Sequence, residues 1–145
     1  MNIVAKNHEE MLVKNFIVKS KRSRLLNFIT SKKNRSKFTE MIHHFGYLDS
    51  RYIILVENRE HSAEVIQKKL TSMGAPDECY LISTTDLLDA KVLKLAEALD
   101  KVLYGNRGYP YPSFISCIPG KLAYYEGEES VNESSYILFR DDGFK

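Results

Sequence analysis

The sequence predicts an α/β or α+β fold, with N-terminal helices followed by a β-α-β-α-β segment and a C-terminal β-hairpin in a mixed sheet of about five strands. Apolar residues recur at helical spacing up to residue 45, and short β-branched runs alternate with helical stripes after residue 47. Because 145 residues is a usual length for one domain, we expect a single domain over 1–145. Residues 1–46 would form its basic helical subdomain and residues 47–145 its α/β core.

The first 45 residues predict two or three helices. Asn7, with Glu10 three positions later, is typical of a helix start, and this helix is expected to end near Val18. A second helical stretch ends near Thr30, and its apolar residues are Leu25, Leu26, Phe28 and Ile29. The clearest helical stripe, at positions i, i+3, i+4 and i+7, comes third and consists of Phe38, Met41, Ile42 and Phe45.

Residues 51–103 predict strands that alternate with helices. The segment 51–56 contains a continuous apolar run with β-branched residues from position 52 on, which is typical of a strand buried on both faces. A helix over 65–73 and a second strand over 79–83 follow. Thr84, Thr85 and Asp86 are candidate N-caps for a long helix that reaches Val102. Strands separated by helices favour parallel pairing with right-handed crossovers.

The C-terminal part predicts three more strands. A loop rich in Gly, Pro and Tyr covers 105–113, and a strand over 114–118 leads to a Pro-Gly turn. The segments 121–126 and 136–140 then form a hairpin around a polar, acidic loop. This antiparallel pair would make the sheet mixed.

Composition excludes several classes of protein. The longest apolar run, Tyr52–Val56, is far shorter than the roughly 18 residues of a membrane span. Polar residues also interrupt the N-terminal region where a signal peptide needs an apolar core, so we expect a cytoplasmic protein without membrane contact. Cys79 and Cys117 form no CxxC pair and are expected to be reduced thiols packed near the sheet. No dinucleotide, P-loop or metal-binding motif is present, and we predict no cofactor and no metal.

Charge is distributed unevenly along the chain. Residues 1–40 carry ten Lys and Arg against three Glu, a net charge of +7. Residues 41–145 carry eleven Lys and Arg against sixteen Asp and Glu, a net charge of −5. This asymmetry indicates either an anionic partner or docking of the basic segment onto the acidic remainder.

The basic segment is the strongest charge feature, and two tight clusters within it could follow a phosphate backbone. The candidate nucleic-acid contacts are Lys21, Arg22, Arg24, Lys32, Lys33, Arg35 and Lys37. A basic run on amphipathic helices is, however, most often only their solvated face.

A second candidate site follows from the predicted sheet. In open parallel sheets, ligands bind beyond the carboxyl ends of the strands. That edge would carry Arg59, His61, Thr84, Thr85 and Asp86, which suit a phosphate or carboxylate, with His61 as a possible acid or base. The simpler interpretation is that Thr84, Thr85 and Asp86 only cap their helix.

A third candidate is an aromatic segment between positions 104 and 125. Its tyrosines interleave with basic residues, which suits a protein interface, base stacking, or a loop folded over the sheet edge. The candidate interaction residues are Tyr104, Arg107, Tyr109, Tyr111, Tyr124 and Tyr125.

These features lead to three hypotheses about function. Because no catalytic constellation is present, we expect a non-catalytic interaction or regulatory module that binds a protein partner or a second copy of itself. The alternative is a nucleic-acid-binding protein that uses the basic helices. The third hypothesis is a small enzyme that acts on an anionic substrate at the strand carboxyl ends.

Overall fold

A computed structural model of the chain describes residues 3–103, 112–127 and 135–141. The helices are α1 (Ile3–Phe16), α2 (Lys19–Ile29), α3 (Arg35–Ile42), α4 (Ala63–Ser72) and α5 (Leu95–Val102). The strands are β1 (Ile53–Leu55), β2 (Glu78–Ser83), β3 (Val92–Lys94), β4 (Ser113–Ile118), β5 (Leu122–Glu126) and β6 (Ser135–Phe139). The mixed helix-and-strand class predicted from sequence is confirmed.

The six strands form one sheet in the order β1-β6-β5-β4-β2-β3, and every neighbouring pair is antiparallel. The expected parallel pairing is therefore wrong, and so is the expected mixture of strand directions. The cause lies in residues 84–91, which form turns instead of a crossover helix and return the chain to the sheet as β3. The predicted β5–β6 hairpin is confirmed.

Two local predictions are also wrong. Thr84, Thr85 and Asp86 do not cap a helix, because the next helix begins only at Leu95. The Thr85 hydroxyl instead accepts a hydrogen bond from the Leu87 amide within a turn. β1 is also not buried on both faces: it is an edge strand with one neighbour, and Ile54 and Leu55 are each 42% exposed.

Helices cover both faces of the sheet, and each face has its own core. On β2, Tyr80 and Ile82 pack with α1, α2 and α3, whereas Cys79 and Leu81 pack with α4 and α5. This alternation follows from the two-residue period of a strand. Cys79 and Cys117 are free and buried, as expected, and burial raises the pKa of Cys79 to about 12.

The N-terminal helices dock firmly on the sheet. Asn15 of α1 donates a hydrogen bond of 2.9 Å from Nδ2 to the carbonyl of Gly120, in the turn between β4 and β5. Gly120 has a φ of +72°, and a Cβ there would lie 2.6 Å from Asn15 Nδ2, so only glycine fits this contact. Asn7 lies inside α1, which begins earlier than its predicted cap.

One composition-based expectation concerns membranes. Within the described ranges, none of the helices combines the length and the apolar character that a membrane span requires.

Candidate functional site

Helix α2 separates apolar and basic residues onto opposite sides. Leu25 and Ile29 are buried in the core that α1, α2 and α3 share with the sheet. The exposed positions recur at helical spacing on the other side and are Lys19, Ser20, Ser23, Arg24 and Asn27. The side of α2 that faces away from the sheet is thus polar and cationic.

Helix α3 and the short 3₁₀ turn before it continue this arrangement. Phe38 and Ile42 enter the same core, while Lys32, Lys33 and Lys37 are exposed. α2 and α3 pack against each other and bury their apolar sides in one core, so their exposed sides lie on the outside of this helical layer. We call this surface the basic face; its cations are Lys19, Arg24, Lys32, Lys33 and Lys37.

Glu40, exposed on α3, is the one acidic residue of α2, α3 and the 3₁₀ turn between them. Residues 11–39 contain no Asp or Glu at all. Among the residues that the structure describes, none of the five cations of the basic face lies within ion-pair distance of a carboxylate. Lys6 and Lys14 of α1, by contrast, each approach Glu10. The positive charge of this surface is thus directed at solvent.

Four of the predicted nucleic-acid contacts interact with other groups of the chain. Arg24 lies over the Phe28 ring, 5.9 Å from its centroid, but stays exposed. Lys21 lies over the ring of Tyr47, with its Nζ 4.9 Å from the centroid. Arg22 donates from Nε to the carbonyl of Ile17 at 2.8 Å. Arg35 is held in a network of ion pairs and does not belong to the basic face.

Arg35 connects three separate parts of the chain. Its Nε and Nη2 donate to the two carboxylate oxygens of Asp89, and its Nη1 donates to Glu9, all at 2.8 Å. Glu9 is fully buried and also accepts a hydrogen bond of 2.5 Å from the Tyr80 hydroxyl. Burial opposes the charge on Arg35, but the hydrogen bonds to Asp89 and Glu9 outweigh it and raise its pKa. Among the described cations of residues 1–40, Arg35 is thus the one that forms an ion pair with the acidic remainder of the chain.

A polar cleft of about 360 Å³ lies between α3 and the turns that follow β2. Lys32 and Lys33 line its α3 side, together with the docked Arg35. The opposite side includes Thr84, Asp86 and Asp89. The cleft thus combines residues that the sequence analysis assigned to two different candidate sites.

The proposed ligand edge does not form as one site. β1 and β2 are four strand positions apart in the sheet, which corresponds to about 19 Å at the usual strand spacing. Arg59 follows β1, whereas Thr84, Thr85 and Asp86 follow β2, so these two groups are separated. His61 lies between them, against Glu126 at the end of β5, two strand positions from β2. Arg59 forms an exposed ion pair with Glu57 at 2.8 Å.

His61 has a different partner, the carboxylate of Glu126 at the end of β5. The Nε2 of His61 lies 3.0 Å from both carboxylate oxygens, and Glu126 is only 1% exposed. The hydroxyls of Tyr124 and Ser135 donate to the same carboxylate at 2.6 Å and 2.9 Å. The hydrogen bond to Glu126 outweighs burial and raises the pKa of His61.

This pair predicts a pH-dependent contribution to stability. A raised pKa in the folded state means that the contribution is complete below the ordinary His pKa of 6.5 and is lost as pH rises through the folded value. We expect His61→Gln to lower the free energy of unfolding by about 1–3 kcal/mol below pH 6, and by less at pH 8. Urea unfolding at both pH values measures this difference. A loss that grows with pH would be inconsistent with the ion pair.

The aromatic candidate surface is only partly described. Tyr124 is completely buried, and Tyr125 is 4% exposed and donates a hydrogen bond from its hydroxyl to the carbonyl of His43. These two residues are core residues, so their assignment to an interaction surface is wrong. The other members, Tyr104, Arg107, Tyr109 and Tyr111, lie outside the described residues.

Sequence reasoning missed two features beside the basic face. One is the set of carboxylates that bind Arg35. The burial of Glu9 could have been predicted, because Glu9 lies at helical spacing from the buried residues Leu12 and Phe16. The other is an aromatic pair: the rings of His44 and Tyr47 stack at a centroid distance of 4.5 Å, and His44 is exposed.

Within the described ranges, no group of three or more His, Cys, Asp or Glu side chains is arranged to hold a metal ion. Comparison with protein-family models, with curated proteins and with solved structures found no match to this chain.

Proposed function

We propose that this chain binds nucleic acid through the basic face. The observation that carries the proposal is the exposed array Lys19, Arg24, Lys32, Lys33 and Lys37, in a segment without a single acidic residue. Phosphate contacts supply most of the affinity of proteins that bind nucleic acid without strong sequence preference. Clustered cations on one side of a domain are the electrostatic signature of that binding.

The dimensions of the basic face suit a stretch of phosphate backbone. With 11 residues, α2 is about 16 Å long, and the backbone of a duplex rises about 3.4 Å per phosphate along each strand. α2 alone therefore spans four or five phosphates. Ser20 and Ser23 lie between Lys19 and Arg24, and Asn27 follows Arg24 by three positions; these exposed side chains can donate further hydrogen bonds to phosphate oxygens.

The His44–Tyr47 stack adds a second kind of contact. It follows α3 directly, and Lys21 of α2 lies over the Tyr47 ring. Aromatic rings beside a cationic surface are a common platform for unpaired bases. Because His44 and Lys21 cover the Tyr47 ring, a base would stack on the exposed ring of His44. This pair favours a strand with accessible bases over a closed duplex.

The other hypotheses have less support. The interaction-module hypothesis depended on a tyrosine surface of which Tyr124 and Tyr125 are buried. The enzyme hypothesis needed Arg59, His61 and Asp86 to converge, but Asp86 alone of the three lines the cleft. Arg59 and His61 have separate carboxylate partners. Both remain predictions without a described surface or site.

Charge reversal tests the proposal. The variant Lys32→Glu/Lys33→Glu/Lys37→Glu changes the basic face, and Lys68→Glu/Lys94→Glu/Lys101→Glu makes the same change in net charge on α4, at the end of β3 and on α5. Binding of a fluorescein-labelled single-stranded 12-mer is measured by anisotropy from about 50 to 300 mM salt. If three phosphate contacts are lost, affinity falls by about 100-fold at 0.1 M salt, and the slope of log K against log salt decreases by about 2.

The control variant distinguishes binding by the basic face from attraction by the net charge of the protein alone. We expect it to keep both the affinity and the salt slope within a few-fold of the unchanged protein, and thermal melts establish that both variants are folded. Equal losses in the two variants, or no salt-dependent binding by the unchanged chain, would refute the proposal.

A further inference from the structure

The polar cleft is lined by both lysines and carboxylates. Lys32 and Lys33 belong to the basic face and also line the cleft. Asp86 and Glu40 line it as well, and both side chains are exposed. Neither carboxylate has an ion-pair partner among the residues that the structure describes, in contrast to Asp89, which is bound by Arg35.

Carboxylates without an ion-pair partner lower the affinity of a neighbouring surface for phosphate, unless the ligand also donates hydrogen bonds to them. A phosphate held by Lys32 and Lys33 would be repelled by Asp86 across the cleft, which weakens binding of any strand that offers only anionic and acceptor groups there. A ligand hydroxyl reverses this effect, because it donates a charge-assisted hydrogen bond to the carboxylate. The cleft therefore favours a ligand that carries phosphate and hydroxyl groups close together.

We infer that the cleft binds one ribonucleotide unit of the bound strand, so that the protein prefers RNA to DNA. Lys32 and Lys33 contact its phosphate, and Asp86 accepts a hydrogen bond from the ribose 2′-hydroxyl. Carboxylates recognise ribose hydroxyls in this way in dinucleotide-binding proteins, and the 2′-hydroxyl is the group by which proteins distinguish RNA from DNA.

The size and remaining groups of the cleft agree with this ligand. Its volume of about 360 Å³ is within the usual range for a small-molecule site. Thr84 adds a hydroxyl to the Asp86 side of the cleft, and Ser36 adds one to the side of Lys32 and Lys33. This inference rests on the proposed nucleic-acid binding and specifies which nucleic acid is bound.

Three labelled 12-mers of adenosine that differ only at the 2′ position test the inference: ribose, deoxyribose and 2′-O-methyl ribose. The 2′-O-methyl group keeps the oxygen but removes the donated hydrogen. At 0.1 M salt we expect the full chain to bind the ribose form about 10-fold tighter than either other form, as one charge-assisted hydrogen bond predicts.

Asp86→Ala is the informative variant, and Asp77→Ala is its control, because Asp77 is an exposed carboxylate that pairs with Lys94 away from the cleft. Asp86→Ala should weaken binding of the ribose 12-mer and strengthen binding of the deoxyribose 12-mer, so that their affinity ratio approaches 1. Asp77→Ala should leave the ratio unchanged. A merely destabilising substitution would weaken both probes together.

Different experimental results would overturn the inference and the proposed function. If the basic-face variant loses binding but the unchanged chain binds all three 12-mers equally, the inference is overturned and the proposed function stands. A ribose preference that survives Asp86→Ala also overturns it. If the unchanged chain binds none of the three probes with salt-dependent affinity, both fail.

Discussion

Arg35→Gln is expected to lower the free energy of unfolding by about 3–5 kcal/mol, the usual cost of removing one partner from a buried ion pair. The substitution leaves Glu9, which is fully buried, with the Tyr80 hydroxyl as its described donor, and it removes both Arg35 hydrogen bonds from Asp89. The helical layer would lose the contact that joins α3 to both α1 and the turns after β2. Urea unfolding at pH 7, followed by circular dichroism, measures the loss.

Two further variants make this prediction specific. Arg59→Gln removes an ion pair of the same type whose Arg and Glu57 side chains are 82% and 54% exposed, and it should change stability by less than about 0.5 kcal/mol. Arg35→Lys keeps the charge but not the planar fork that binds Asp89 in two places, so we expect an intermediate loss. If Arg35→Gln costs no more than Arg59→Gln, the internal docking described above does not hold the helices in place.

The second large effect concerns acid stability and depends on His43. Its Nδ1 lies 2.5 Å from the Thr39 carbonyl and its Nε2 lies 3.2 Å from the Ile82 carbonyl, so a neutral ring can donate to only one of them. Burial is the largest effect, and it lowers the pKa of His43 to about 4. The two carbonyls and Asp89 raise this pKa by smaller amounts, and the charge of nearby Arg35 lowers it. The folded state therefore holds this side chain uncharged over most of the acidic range.

The sign of the pH effect follows from this lowered pKa. Between pH 6.5 and 4 the unfolded chain binds a proton at His43 that the folded chain does not, so stability falls as pH falls. A difference of about 2.5 pKa units corresponds to roughly 3 kcal/mol. His43→Asn should be less stable than the unchanged chain at pH 7, and this deficit should shrink by about 2–3 kcal/mol on acidification to pH 4.

Urea titrations of the two proteins at pH 7, 6, 5 and 4 measure this change. Comparing the two proteins cancels the titration of other groups, including His8, whose pKa burial also lowers. Ser36→Ala alters an exposed residue of the same helix without removing a titratable group, and it should show the same pH dependence as the unchanged chain. Parallel curves for His43→Asn and the unchanged chain would contradict the assignment of the acid effect to His43.

Local periodicity predicted most of the elements but not how the strands pair. The stripe of Phe38 and Ile42 predicts α3, and the apolar run 79–83 predicts β2, because both patterns depend only on neighbouring residues. Strand direction depended on residues 84–91, where the stripe from Leu88 to Val102 suggested one long helix. The turn there depends on Asp89, whose carboxylate accepts from the Ser83 amide and from Arg35. That second contact is 54 residues away in the chain, and no local pattern reveals it.

The candidate site also has one part that the sequence could predict and one part that it could not. The exposure of Lys32, Lys33 and Lys37 follows from the helical stripe of the same segment, so sequence alone could identify the basic face. The withdrawal of Arg35 from that face could not be predicted, because it requires the positions of Glu9 and Asp89 in three dimensions. The cleft is also a tertiary feature, since its two sides come from segments about 50 residues apart.

The most direct test of nucleic-acid binding by the basic face is lysine footprinting of the unchanged chain. Lysines are acylated with and without a saturating single-stranded RNA 12-mer, and modification is read by mass spectrometry. We predict that the RNA protects Lys32, Lys33 and Lys37 several-fold and leaves Lys68, Lys94 and Lys101 as reactive as in the free protein. Protection of the second set, or equal reactivity of both sets with and without RNA, would contradict the proposed function.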